Sequence, residues 1–444
     1  MAEQMKPSGI DWIGDIPESW KVKPLKYLAK CNQDVLLETT APDYLFRYVD
    51  IGSVTYENGI TEYQELRFED SPSRARRRVS VGDTIISTVR TYLKAIAIIS
   101  DSENVIVSTG FAVYTPDKAI YPRYLYYFCK SEGFVQEIDK NSYGIAYPAI
   151  NTDLLSRICI AYPCYEDQQA IADFLDKECA QIDSIAADLE KQIALLQQYK
   201  KSLITETVTK GLDKSVPMKD SGVEWIGEIP VGWELSRIKY LTDNHHPYPI
   251  GDGDHGMIKA DDYLTEGIPY IRVLNLTWGS GLNLENLVFI SKEMNSLIKN
   301  SELKPNDILI AKTGATIGKT AIVPDSLPVS NTTSHVGKIT LANVHDAKYF
   351  YYVMTSSIVQ KQIQDISAMQ STRPELGIEG LKNLILTVPP FDIQQHIARF
   401  LDDHCAKIDR VLHEKGKQLS VIKQHKKSLI YEYVTGKKRV KEVQ

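Results

Sequence analysis

The residues best suited to chemistry in this 444-residue chain are basic and polar side chains gathered in short segments. SRARRRVS, residues 73–80, holds Arg74, Arg76, Arg77 and Arg78 within five positions. Four guanidiniums so close together, on a chain of net charge −6, weigh toward phosphate contact over a merely solvated face. STVRTYLK follows, with Ser87, Arg90, Tyr92 and Lys94. AKTGATIGK answers it later in the chain, with Lys312, Thr313, Thr316 and Lys319. Each comes after an apolar run opened by Asp83 or Asp307, a spacing that predicts the tip of a hairpin. A polar loop further on offers Asn141, Ser142, Tyr143 and Tyr147 in the first half, and Gln370, Ser371, Thr372 and Arg373 in the second. Arg reads guanine bidentately and Asn or Gln reads adenine, each pair giving about 1–3 kcal/mol of discrimination. The frames of these segments match between halves while their side chains diverge, as two readers of different bases would.

Other patterns suggest chemistry that their details do not support. KTGATIGKT (312–320) ends like a phosphate-binding loop, but the spacing G-x-x-x-x-G-K-[ST] needs glycine at Thr313. VPPFD (388–392) resembles the loop of amino-methyltransferases, yet Val388 stands where a polar residue must hold the amine; its counterpart is YPCYE (162–166), so a strand-to-helix corner is expected. DGDHG (252–256), beside His245 and His246, reads as a polar turn because of its glycines rather than as a metal site. No catalytic residue and no metal ligand is assigned.

The elements that must position the basic segments occur twice. PSGIDWIGDIPESWKVKPLKYL (7–28) returns as DSGVEWIGEIPVGWELSRIKYL (220–241), pairing Trp12 with Trp225 and Trp20 with Trp233. These Trp–Pro motifs are expected to be packing plugs. Short β-branched and aromatic runs follow in each half, then helical stretches at 122–138 and 347–363. Each half closes on a long helical stretch, 165–211 and 391–437, that aligns without a gap. In the first, Leu175, Ile182, Leu189, Leu196 and Leu203 recur every seven residues, with Ile171, Ile185 and Ile193 flanking them. In the second, Leu401, Ile408, Leu412, Leu419, Ile422 and Leu429 do the same less regularly, and Lys415 and Gly416 interrupt the stripe. Helices of about 45 residues would be roughly 65–70 Å long, and the two stripes are expected to bury each other in an antiparallel coiled coil. Residues 210–219 read as a linker, with Gly211 as the helix stop.

The expected fold class is α+β: two similar α/β domains, at 1–164 and 212–390, separated by spacer helices at 165–211 and 391–444 and related by a pseudo-two-fold. No run of 18 apolar residues exists, so no membrane span is expected. The six cysteines form no C-x-x-C pair, and a reducing cytoplasm is the expected location. The SG[IV][DE]WIG[DE]IP..W motif, the QQ.IA.FLD helix start and the KKSLI.E.VT helix end, present in both halves, make the chain resemble the specificity subunit of Type I restriction–modification systems. That resemblance, over nearly the full length, implies two target-recognition domains on duplex DNA, a bipartite asymmetric site and no catalysis in this chain. It implies as partners two modification subunits that methylate adenine and restriction subunits, with S-adenosylmethionine held by the modification subunit and no cofactor here. Matched heptads added to both helices are expected to widen the gap between half-sites. An alternative reading is a coiled-coil scaffold or orphan regulator that binds only protein, for which neutralising Arg76–Arg78 would leave all binding intact.

Overall fold

The computed structural model describes residues 4–279, 281–368 and 374–440. The chain forms two contact units, one containing residues up to Glu190 and from Lys417 onward, the other Lys191–Gly416. The internal repeat of the sequence is repeated in their strand order. In unit one a four-stranded sheet runs Ile96–Ile98, Thr84–Ser87, Phe111–Pro116, Ala29–Cys31, all antiparallel. Unit two has Thr320–Ile322, Ile308–Ala311, Val336–Ile339, Ile250–Asp252 in the same order. Beside it, unit one carries a sheet ordered Gln64–Arg67, Leu45–Val49, Val105–Ser108, Ala75–Arg78, with its middle pair parallel. Unit two keeps three of these positions, Val288–Ile290, Ile268–Ile271 and Asn331–Thr332; among the described residues that sheet has no counterpart of the arginine strand. The central strands Thr84–Ser87 and Ile308–Ala311 are buried on both faces, which is why they read as continuous apolar runs rather than alternating ones.

Both long stretches are single helices, Tyr165–Lys210 and Phe391–Val434. Within unit one, Lys426 meets Asp183, Lys423 meets Glu190 and the Tyr433 ring packs tilted against Phe174, so the paired helix segments run antiparallel. Within unit two, Lys200 meets Asp409 and Lys415 meets Gln192, again antiparallel. The buried stripe contains the expected Leu175 and Leu189 together with Ala172, Cys179 and Ala186, which complete the heptad pattern. Ile185, beside the stripe, is exposed. The second helix is continuous through Lys415 and Gly416; Lys415 interrupts the apolar stripe, as expected, and donates to Gln192, while Gly416 faces open space and costs only its intrinsic propensity.

The shared motifs act as anchors. Gln168 is fully buried; its amide donates to the carbonyls of Pro163 and Ala119 and accepts from the Tyr121 amide. Gln394 does the same with Pro389 and the Asp346 amide. The PPF segment is therefore a strand-to-helix corner. The Tyr124 hydroxyl donates to the last turn of the second long helix at Val434, and the Tyr349 hydroxyl donates to Val208 of the first. Gly211 ends its helix in the left-handed region (φ +72), where Trp233 packs 3.2 Å from the position a Cβ would take. Trp20 and Trp233 are thus buried plugs, whereas Trp225 is exposed.

Candidate nucleic-acid interface

In unit one, the turn after Thr84–Ser87 and the loop before the helix Thr152–Arg157 are stitched together. Val89 bridges Ala149, the Thr91 amide donates to Pro148 and the Ile150 amide donates to Thr88. This places Arg90, Tyr92, Tyr143 and Tyr147 on one exposed surface, with the Arg90 guanidinium 5.4 Å from the centre of the Tyr147 ring. Asn141 and Ser142 close the preceding helix by donating to the carbonyls of Glu137 and Ile138. The Thr109–Gly110 turn ties in the arginine segment: the Thr109 amide donates to Arg74 and the Thr88 amide donates to Gly110.

Unit two makes the same junction. Thr313 bridges Glu375, the Gly314 amide donates to Pro374 and the Leu376 amide donates to Lys312. The Thr313 hydroxyl lies 3.1 Å from His335, and Thr316 and Lys319 are half-buried on the same turn. Gln370, Ser371, Thr372 and Arg373 lie outside the described residues. The turn is a one-turn 3-10 helix, Gly314–Thr316, leading into a strand, so no α-helix N-terminus stands behind it to bind a phosphate.

Several assigned residues have other duties. Arg74–Arg78 is not a loop cluster: Ala75–Arg78 is an edge strand, so its arginines alternate between faces. Arg74 pairs with Asp50 at 3.1 Å, Arg76 lies over the Phe68 ring and Arg77 is half-buried, its pKa lowered by burial. Arg78 is exposed. Ser87 is buried and donates to the Val89 carbonyl. Lys94 lines a cleft of about 200 Å³ with Tyr56, Glu57, Glu132 and Lys427. Lys312 is 3% exposed and donates to Asp252 at 2.6 Å, so its charge is already neutralised inside the unit. Its amide and carbonyl bond His335 and Leu376, making it the node that holds the turn. Hydrophobicity alone could not locate that role, because the partner Asp252 lies sixty residues away in sequence.

The DGDHG segment is a polar turn: Asp254 accepts from the Gly256 and Ile258 amides and from the Tyr270 hydroxyl. Among the described residues no group of acidic, His or Cys side chains could hold a metal, and no helix is long and apolar enough to cross a membrane.

Comparison with known proteins places these features in context. The model of the Type I restriction modification DNA specificity domain matches residues 17–195 and again 250–420. The specificity subunit of the type I restriction enzyme MjaIX of Methanocaldococcus jannaschii is 23% identical, over 97% of this chain and 96% of that one. The EcoBI specificity subunit of Escherichia coli is 25% identical over 68% of this chain and 63% of its own length. A chain from a solved structure described as underlying complex assembly and conformational transition of the type I R-M system superposes with a TM-score of 0.73 at 18% identity, covering 94% of this chain and 98% of that one.

Proposed function

The chain belongs to the Type I restriction modification DNA specificity family, and on that footing we propose that it reads a split, asymmetric duplex DNA sequence, one half-site per target-recognition domain. It is not itself an enzyme: in this family catalysis lies in other subunits. The observation that carries the reading is the loop junction, built twice on one strand order with different side chains. A repeated frame with divergent tips suits two unlike half-sites, since phosphate contacts set register and base contacts set sequence. Residues 1–164 and 212–390 are the proposed target-recognition domains, with 165–211 and 391–444 as spacer helices. The proposed contacts in the first are Arg90, Tyr92, Asn141, Ser142, Tyr143 and Tyr147, with Arg74 and Arg78 toward phosphates. In the second they are Thr313, Thr316 and Lys319, together with Gln370, Ser371, Thr372 and Arg373. Ser87, Lys312 and the half-buried Arg76 and Arg77 support these surfaces from behind. Two modification subunits holding S-adenosylmethionine, with restriction subunits, complete the proposed cytoplasmic complex.

The test is domain exchange. Replacing residues 212–390 by the corresponding segment of a relative changes one half of the methylated motif and leaves the other. A change in both halves contradicts independent reading.

A further inference from the structure

The loop between Tyr143 and Ala149 is unusual for a surface turn. Its five residues, Gly144, Ile145, Ala146, Tyr147 and Pro148, carry no charge, and the first four are exposed. Ile145 projects entirely into solvent at 106% relative exposure. Surface loops are ordinarily polar, and a bare apolar tip gains free energy only when something covers it. The tip is also held rigidly. Tyr143 and Ala149 exchange two amide–carbonyl bonds of 3.0 Å, and Val89 bridges Ala149 from the other side. Gly144 turns the chain at φ +108, where a Cβ would stand 3.0 Å from the Tyr147 carbonyl oxygen, so the turn requires glycine.

We propose that Ile145, flanked by Tyr143 and Tyr147, is a wedge that inserts at a base step of the first half-site and unstacks it. This rests on the DNA-reading function proposed above. Apolar wedges enter between base steps, and the unstacking they cause is offset by the surface they bury. The surroundings favour nucleic acid over a protein as the occupant. Arg90, exposed and held in the left-handed region at φ 51, stands against the Tyr147 ring, placing a cation and π-faces beside the apolar tip. Aromatic rings with an adjacent guanidinium are the surface on which bases stack.

The experiment uses the full chain assembled with its modification subunits and a duplex carrying its methylated motif. 2-Aminopurine replaces in turn each adenine, on either strand, in and next to the first half-site other than the methylated adenine. The wild-type complex raises fluorescence severalfold at one step, Ile145→Ala abolishes that rise and weakens binding about tenfold, and Ile145→Leu restores both. An unchanged signal and affinity in Ile145→Ala overturns the wedge. So does loss of assembly with the modification subunit, which makes the tip a protein contact. Failure of the wild-type complex to bind its motif duplex at all refutes the DNA-reading function, and is distinguished from failure of the wedge alone, in which the wild type binds without unstacking.

Discussion

The polar members of the helix seam make a measurable asymmetry. Lys200 occupies a heptad position in the stripe of the first long helix, and its ammonium lies 2.6 and 2.7 Å from the two oxygens of Asp409. Lys426 and Asp183 repeat the pair with the same distances in unit one. The Lys200 side chain is 13% exposed and that of Asp409 is 44% exposed. The two halves of the pair therefore differ in what they leave behind. Asp409→Ala strands an ammonium in an apolar seam. Breaking a fully buried pair costs about 3–5 kcal/mol and an exposed one about 0.2–1 kcal/mol, so this intermediate case costs about 2 kcal/mol. Lys200→Leu leaves a carboxylate that water still reaches and adds an apolar side chain to the seam, for a change within about 1 kcal/mol of zero. The double variant recovers most of the Asp409→Ala loss. Urea unfolding followed by helical circular dichroism measures all three. If Lys200→Leu costs as much as Asp409→Ala, the seam is not apolar around that site and the packing argument fails.

Other expectations follow from the same geometry. Gly416→Ala stabilises the chain by up to about 1 kcal/mol, read as a higher urea midpoint, because nothing stands where the new Cβ goes; destabilisation contradicts a continuous helix with an open position at residue 416. Arg90→Ala weakens DNA binding and lowers the slope of log affinity against log salt by about 1 without moving the melting temperature, while Lys312→Ala lowers stability through the stranded Asp252; an unchanged salt slope removes Arg90 from the interface. His345 packs on Phe350, and burial lowers its pKa below the ordinary 6.5. The folded state then binds fewer protons than the unfolded one, so the contribution is complete above about pH 6.5 and is lost as pH falls toward the folded-state pKa. His345→Phe flattens that dependence in a pH series of melts, leaving the same-signed contribution of His246; an unaltered slope contradicts it.

What the sequence shows and hides follows from which forces are local. The long helices were legible because an apolar side chain every seventh residue has one simple fate. The paired motifs were legible because Gln168 and Gln394 meet nearby carbonyls in both halves. The arginine run hid its local structure, because spacing along the chain does not tell a strand from a loop, and the strand Ala75–Arg78 leaves Arg77 half-buried. Lys312 misled for the same reason as any buried ion pair: its partner is supplied by topology. The interruption of the second stripe at Lys415 and Gly416 was legible as well, since a break in apolar spacing does not by itself end a helix.

The most direct measurement is a methylome. The chain is co-expressed with its modification subunit in a host free of adenine methylation, and modified adenines are located by sequencing. The account predicts a single motif of two unlike halves separated by a fixed gap. A soluble, assembled complex that adds no methylation, or methylates one uninterrupted or palindromic motif, contradicts it.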